Sequence, residues 1–255
     1  MSTVTAFRPP TRAAELTERE ARIQLAACYR LIAHFGMDDL VFTHISMRVP
    51  GSDGHFLINP YGLMFHEITA SSLLKIDYDG NLIEPSPHPM NKAGFIIHSA
   101  IHMARHDVAC VLHTHTRAGI ALSCLETGLL PLNQFSLQFH KRIAYHGYEG
   151  IALDLDERQR LIADLGDKSV MILKNHGLLT TGVSIPEAFS LMYYLEQSCR
   201  IQLDVMASGA KYILPESEVQ DKTLGQYVDN PLGTGQREWP ALMRLLDAKD
   251  PSYKD

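Results

Sequence analysis

The chain has 255 residues, 45% of them hydrophobic and 20% charged, a balance that suits a globular domain and excludes fibrous and disordered classes. Its formal charge of −6, with lysines and arginines scattered among acids, excludes the basic footprint that a phosphate backbone requires. Cys28, Cys110, Cys124 and Cys199 lack zinc-knuckle or redox spacing and are expected to be buried thiols, and with no signal peptide and no run of ~18 apolar residues a cytoplasmic protein off the membrane is expected.

Residues 1 to 20 read as a Pro-containing arm, 21 to 210 as one domain and 211 to 255 as a polar tail packed on the domain or on a neighbouring subunit. Thr17 followed three residues later by Glu20 is a capping box that opens a helix ending at Gly36. Residues 42–49, 55–60 and 73–84 are β-rich, the last with an Asp-Gly-Asn turn, and predict neighbouring antiparallel strands. Apolar spacing predicts a helix over 91–105, and the run VACVLHTHT a buried strand after it. A helix over 116–126 is followed by LLPLNQFSLQF and RIAYHGYEG, which read as short extended pieces. Further on, DERQRLIADL reads as a helix and SVMILKN as a strand. A long helix follows, with Ser184 as N-cap and Gly209 as stop, and Trp239, Leu242 and Leu245 mark one short docked helix in the tail.

Side chains alternate along a strand, so the imidazoles of His113 and His115 point the same way and can share one cation. Lys174-Asn175-His176-Gly177 follows the buried run Val170 to Leu173, and its glycine is expected to turn the chain and present His176 as a third ligand. Three neutral imidazoles suit zinc, iron, cobalt or manganese and leave a coordination position open. The competing explanation is a set of hydrogen-bonded core histidines.

Three separated phrases, INPYGLMFHEITASSLLKID, NKAGFIIHSAIHMARHDVACVLHTHT and VMILKNHGLLTTGVSIPEAFSLMYYLE, occur in the order found in the class II aldolase and adducin family, and over Ala21 to Gly209 the chain resembles it. The resemblance implies a single α/β domain, a three-layer α/β/α arrangement with a central, mostly antiparallel sheet flanked by helices. It also implies one divalent metal, zinc first, on His113, His115 and His176, and a homotetramer. The phrases lie nearer the adducin branch than the sugar-phosphate aldolases. Those aldolases carry a glutamate four residues before a helix histidine; here that place, counted back from His98, is Gly94. Their hydroxyl cradle for phosphate is replaced by Thr43-His44-Ile45-Ser46, Tyr61-Gly62 and Lys92-Ala93.

These departures favour a metal-dependent lyase, a decarboxylase or an aldolase-type enzyme, acting on a small hydroxy- or oxo-carboxylate rather than a sugar phosphate. His44 and Tyr61 are the expected catalytic groups. Arg48, Gly62, Lys92, Gly94 and Gln134 are expected to meet the substrate, the gap at Gly94 receiving one of its oxygens, and His140 is a further loop candidate; Arg48 and Lys92 are equally read as solvated charges. The alternatives are an adducin-like assembly module and an iron-dependent oxygenase.

Overall fold

The computed structural model describes residues 16–150 and 157–255, so the arm expected at the N-terminus lies almost wholly outside the described residues. Helix α1 (Glu18–His34) begins at Thr17, whose side chain and that of Glu20 close the expected capping box. Its Tyr29 is fully buried and bonds through its hydroxyl to the Ile45 backbone and to Asn59 (2.9 Å), which fixes the helix against the sheet.

Strands β1 (His44–Arg48), β2 (His55–Ile58) and β3 (Leu74–Asp77) form the expected antiparallel neighbours, and the Asp-Gly-Asn turn follows β3. After α2 (Lys92–Ala104) come β4 (Cys110–Thr114), α3 (Arg117–Ser123), α4 (Gln134–Leu137), β5 (Ile143–His146), α5 (Glu157–Leu165), β6 (Val170–Leu173) and β7 (Gly177–Gly182). The seven strands make one sheet in the order β3-β2-β1-β4-β7-β6-β5, antiparallel except for the parallel pair β5 and β6. Strand β4 alternates as a two-faced strand must: Cys110 and Leu112 enter one core cluster, with α1 and α6 (Ile185–Ala207), while Val111 enters another, with α2 and α5. The result is the expected three-layer α/β/α domain.

Three expectations need correction. Residues 134–137 are not extended but one helical turn, because Asn133 caps the N–H groups of Phe135 and Ser136. The tail carries two helices, α7 (Ser217–Val228) and α8 (Trp239–Lys249), of which only the second was expected. Beyond α8, Tyr253 is fully buried and its carbonyl accepts from Ala70 N–H at 2.9 Å. Among the cysteines, Cys28, Cys110 and Cys199 are buried but Cys124 is exposed.

Candidate metal centre

Strand β4 ends where β1 begins, with His44 directly opposite His113 in the register. His113 is buried and His115, just past the strand end, is half-buried on the same side. His176 reaches them from the turn between β6 and β7. Asn175, with φ +56, makes that turn, and Gly177 serves a different purpose from the one expected of it. A Cβ on Gly177 would stand 2.4 Å from the Thr114 carbonyl oxygen, so only glycine lets β7 start this close to the end of β4.

The metal-capable nitrogens of His113, His115 and His176 all lie within 4.8 Å of one another. His113 Nδ1 donates to the Leu178 carbonyl at 2.9 Å and His115 Nδ1 donates to Asp39 Oδ2 at 3.0 Å. A carbonyl and a carboxylate only accept, so each neutral ring carries its proton on Nδ1 and leaves Nε2 bare. Those two bare Nε2 atoms face each other at 2.9 Å, and His115 Nε2 is also 2.9 Å from His176 Nε2. Opposed lone pairs at this distance repel unless a cation lies between them. Burial, and then the neighbouring His176 and His115, hold the His113 pKa well below its ordinary value, and burial followed by His115 lowers His176 to about 4. Both effects favour neutral His113 and His176, the form in which an imidazole binds a metal ion. Asp39, which orients His115, comes from a loop that the sequence reading passed over.

The three rings open into a cavity of about 620 Å³, also lined by Phe42, Thr43, His44, Tyr61, Lys92 and Tyr148. Of the residues expected from sequence, His44, Tyr61 and Lys92 are therefore gathered around the three histidines. Gly62 follows Tyr61 in the turn with φ +102. Gly94 does not leave a gap: the His44 ring fills that place, with its Cδ2 2.4 Å from where a Cβ on residue 94 would stand. Arg48 lies at the other end of β1, where it bonds to the Tyr78 hydroxyl and to the carbonyls of His102 (2.7 Å) and Arg105 (3.3 Å) and faces a different cavity. Within this chain Gln134 is exposed beside α7, and His140 lies 3.5 Å from Asp221; neither lines the metal cavity.

Thr43 went unassigned in the sequence. It is a β-branched residue held at φ +65, 1% exposed, and its hydroxyl has no hydrogen-bond partner. Leu40 (φ +49) and Asn175 (φ +56) share this backbone strain. Each of the three directly adjoins a residue of the site: Asp39, His44 or His176. Of the four non-glycine residues at positive φ among those described, only Lys141 lies away from the site, so backbone strain is concentrated here.

The sequence model of the class II aldolase and adducin N-terminal domain matches residues 23–203. The chain belongs to that family. An aldolase II superfamily protein from Pseudomonas syringae has the same fold with 53% identity and a TM-score of 0.89, over 94% of this chain and 96% of that one. An L-fuculose 1-phosphate aldolase from Glaciozyma antarctica matches with 29% identity and a TM-score of 0.84, over 97% of both chains. Rat alpha-adducin is 39% identical over 245 residues, which cover 90% of this chain and 33% of adducin. The class II aldolase and adducin family thus joins enzymes and larger adducin chains on one domain. Among the described residues no helix is long and apolar enough to cross a membrane.

Proposed function

We propose that the protein is a divalent-metal-dependent carbon–carbon lyase acting on a small hydroxy- or oxo-carboxylate, with zinc on His113, His115 and His176. The observation that carries this reading is the pair of bare Nε2 atoms of His113 and His115 facing each other at 2.9 Å, each made bare by what its Nδ1 donates to. A scaffold has no physical need for such a repulsive contact. A divalent cation held by these three histidines would polarise a substrate carbonyl and stabilise the charge that develops when a bond to the adjacent carbon breaks.

The remaining residues supply binding and proton transfer. Lys92 brings a positive charge to the cavity wall, suited to a carboxylate, and the unpartnered Thr43 hydroxyl offers a hydrogen bond to a substrate oxygen. Phe42 and Tyr61, with ring centroids 6.3 Å apart, and Tyr148, 6.4 Å from His176, give the cavity aromatic walls that favour an aryl or other apolar substituent. His44 uses Nδ1 for His98 at 2.8 Å, which leaves Nε2 for proton exchange with a substrate carbon in place of the family glutamate. Tyr61 is the second candidate donor. A homotetramer remains part of this proposal.

A second reading, cleavage of a sugar phosphate, is favoured by the likeness to the Glaciozyma enzyme. The replacement of the hydroxyl cradle around Tyr61 and Lys92 argues against it. Purified, zinc-loaded protein offered aryl-substituted 2-oxo and 2-hydroxy acids is expected to release carbon dioxide or a carbonyl product, and a ketose 1-phosphate is expected to remain intact. Turnover of the phosphate at ordinary enzyme rates, with none of the acids, would replace the first reading by the second.

A further inference from the structure

Behind His44 runs a chain of hydrogen bonds that the chemistry above leaves unused. His44 Nδ1 is 2.8 Å from His98 Nε2, His98 Nδ1 is 2.5 Å from Ser46 Oγ, and Ser46 Oγ is 2.7 Å from His102 Nε2. The arrangement follows from two periodicities. His44 and Ser46 alternate onto one face of β1, and His98 and His102, one helical turn apart on α2, lie over them. His44 is 4% exposed and the other three are fully buried.

Two proton orders satisfy every bond with all rings neutral. In the first, His44 Nδ1 donates to His98, His98 Nδ1 donates to Ser46, and the Ser46 hydroxyl donates to His102 Nε2. His44 then presents a bare Nε2 to the cavity. In the second order every donor is reversed, and His44 presents Nε2–H. We propose that Ser46, His98 and His102 form a neutral tautomer relay, in which the Ser46 hydroxyl turns between two histidines and so sets whether His44 offers the cavity an acceptor or a donor. This deepens the proposed function and rests on its reading of His44 as the group facing substrate.

Both orders carry the same four protons, one on each ring and one on Ser46, so passing from one order to the other moves the proton of every ring to its other nitrogen and turns the Ser46 hydroxyl. No ring is charged before or after. At the far end the His102 ring is buried against the Val108 backbone, which ends the chain. The chain thus has one end in the cavity and the other in the interior, so a change at Ser46 or His102 reaches the cavity through His44. Burial holds His44 and His98 well below the ordinary histidine pKa and lowers His102 to about 3, consistent with rings that stay neutral.

The test uses the full chain, 15N-labelled and zinc-loaded, with imidazole nitrogen spectra reporting each tautomer. In Ser46→Ala, His98 Nδ1 has no partner, and a buried bare nitrogen costs less than a buried orphan N–H; His98 therefore donates from Nε2 and His44 shifts to Nε2–H. In His102→Phe the Ser46 hydroxyl has only His98 to donate to, which drives His44 the same way. Each variant should move the His44 tautomer ratio about fivefold, the effect of one hydrogen bond on an equilibrium, and Ser46→Thr should keep the wild-type ratio. Zinc content should not change in any of them. His44 nitrogens unmoved in both Ser46→Ala and His102→Phe, or an imidazolium signal from His98 or His102 at neutral pH, would overturn the relay. Turnover that survives His44→Gln would instead overturn the proton-transfer role of His44, a result separable from the tautomer ratios.

Discussion

The ring of His44 occupies the space that a side chain on Gly94 would need, its Cδ2 lying 2.4 Å from the position of a Cβ there. Glycine on α2 and the histidine ring on β1 thus fit only together. Gly94→Ala is expected to push His44 off His98 and to cost about 1–3 kcal/mol through overpacking. Zinc content should stay at the wild-type level, because the three ligands do not involve residue 94. Thermal unfolding together with elemental analysis checks both parts; loss of the metal with unchanged stability would contradict them.

Asp39→Asn removes the carboxylate that holds the proton on His115 Nδ1. Metal affinity should fall about 10- to 100-fold, the usual effect of losing such an orienting partner. Chelator competition measures it. An unchanged affinity would mean that His115 is oriented by something other than Asp39.

Thr43→Val keeps the shape of the side chain and deletes a buried hydroxyl that has no partner. Stability should hold or rise by about 1 kcal/mol, because an unsatisfied polar group leaves the interior. Once a substrate or acid ligand is in hand, its affinity should fall. A variant that is both less stable and equal in binding would assign the hydroxyl a structural task instead.

Acid should unfold the protein early. The ordinary histidine value is 6.5, whereas burial lowers His102 to about 3 in the folded chain and takes His98 well below 6.5. Below about pH 6.5 the unfolded chain therefore binds protons that the folded chain refuses, so stability is full above that pH and is lost as pH falls toward the folded values. The slope is about 1.4 kcal/mol per pH unit for each such ring. Denaturant midpoints measured against pH should fall less steeply in His102→Phe, which lacks one of these groups. Equal slopes would show that His102 does not contribute.

His113, His115 and His176 were legible in the sequence because strand alternation and a buried lead-in are local signals, and the resemblance to the family favoured a metal over hydrogen-bonded core histidines. The antiparallel β1 to β3 and the capped helices were legible from local signals too. What failed was information carried only in space. Arg48 and His44 stand at opposite ends of β1, one bonded to Tyr78 and His102 and the other opposite His113, and no local signal says which end of the strand faces the cavity. Counting from His98 found Gly94, but the ring that fills its place comes from a strand 50 positions earlier. Asp39 had no motif around it. Helix α4 was missed for a different reason: its Asn133 cap was visible, but a single turn offers too little periodicity to read.

His115 and His176 are 61 residues apart in sequence and meet only because β4 pairs with β7 in the middle of the sheet. A cation held by both is thus a rivet through two central strands, and the free energy of binding it is also free energy of folding. At a free metal concentration about 100 times the dissociation constant, the native state gains about 2.7 kcal/mol over the unfolded chain. Metal scarcity would accordingly lower the amount of intact protein as well as the rate of each molecule, and a chelator should lower the melting temperature before it has anything to do with turnover.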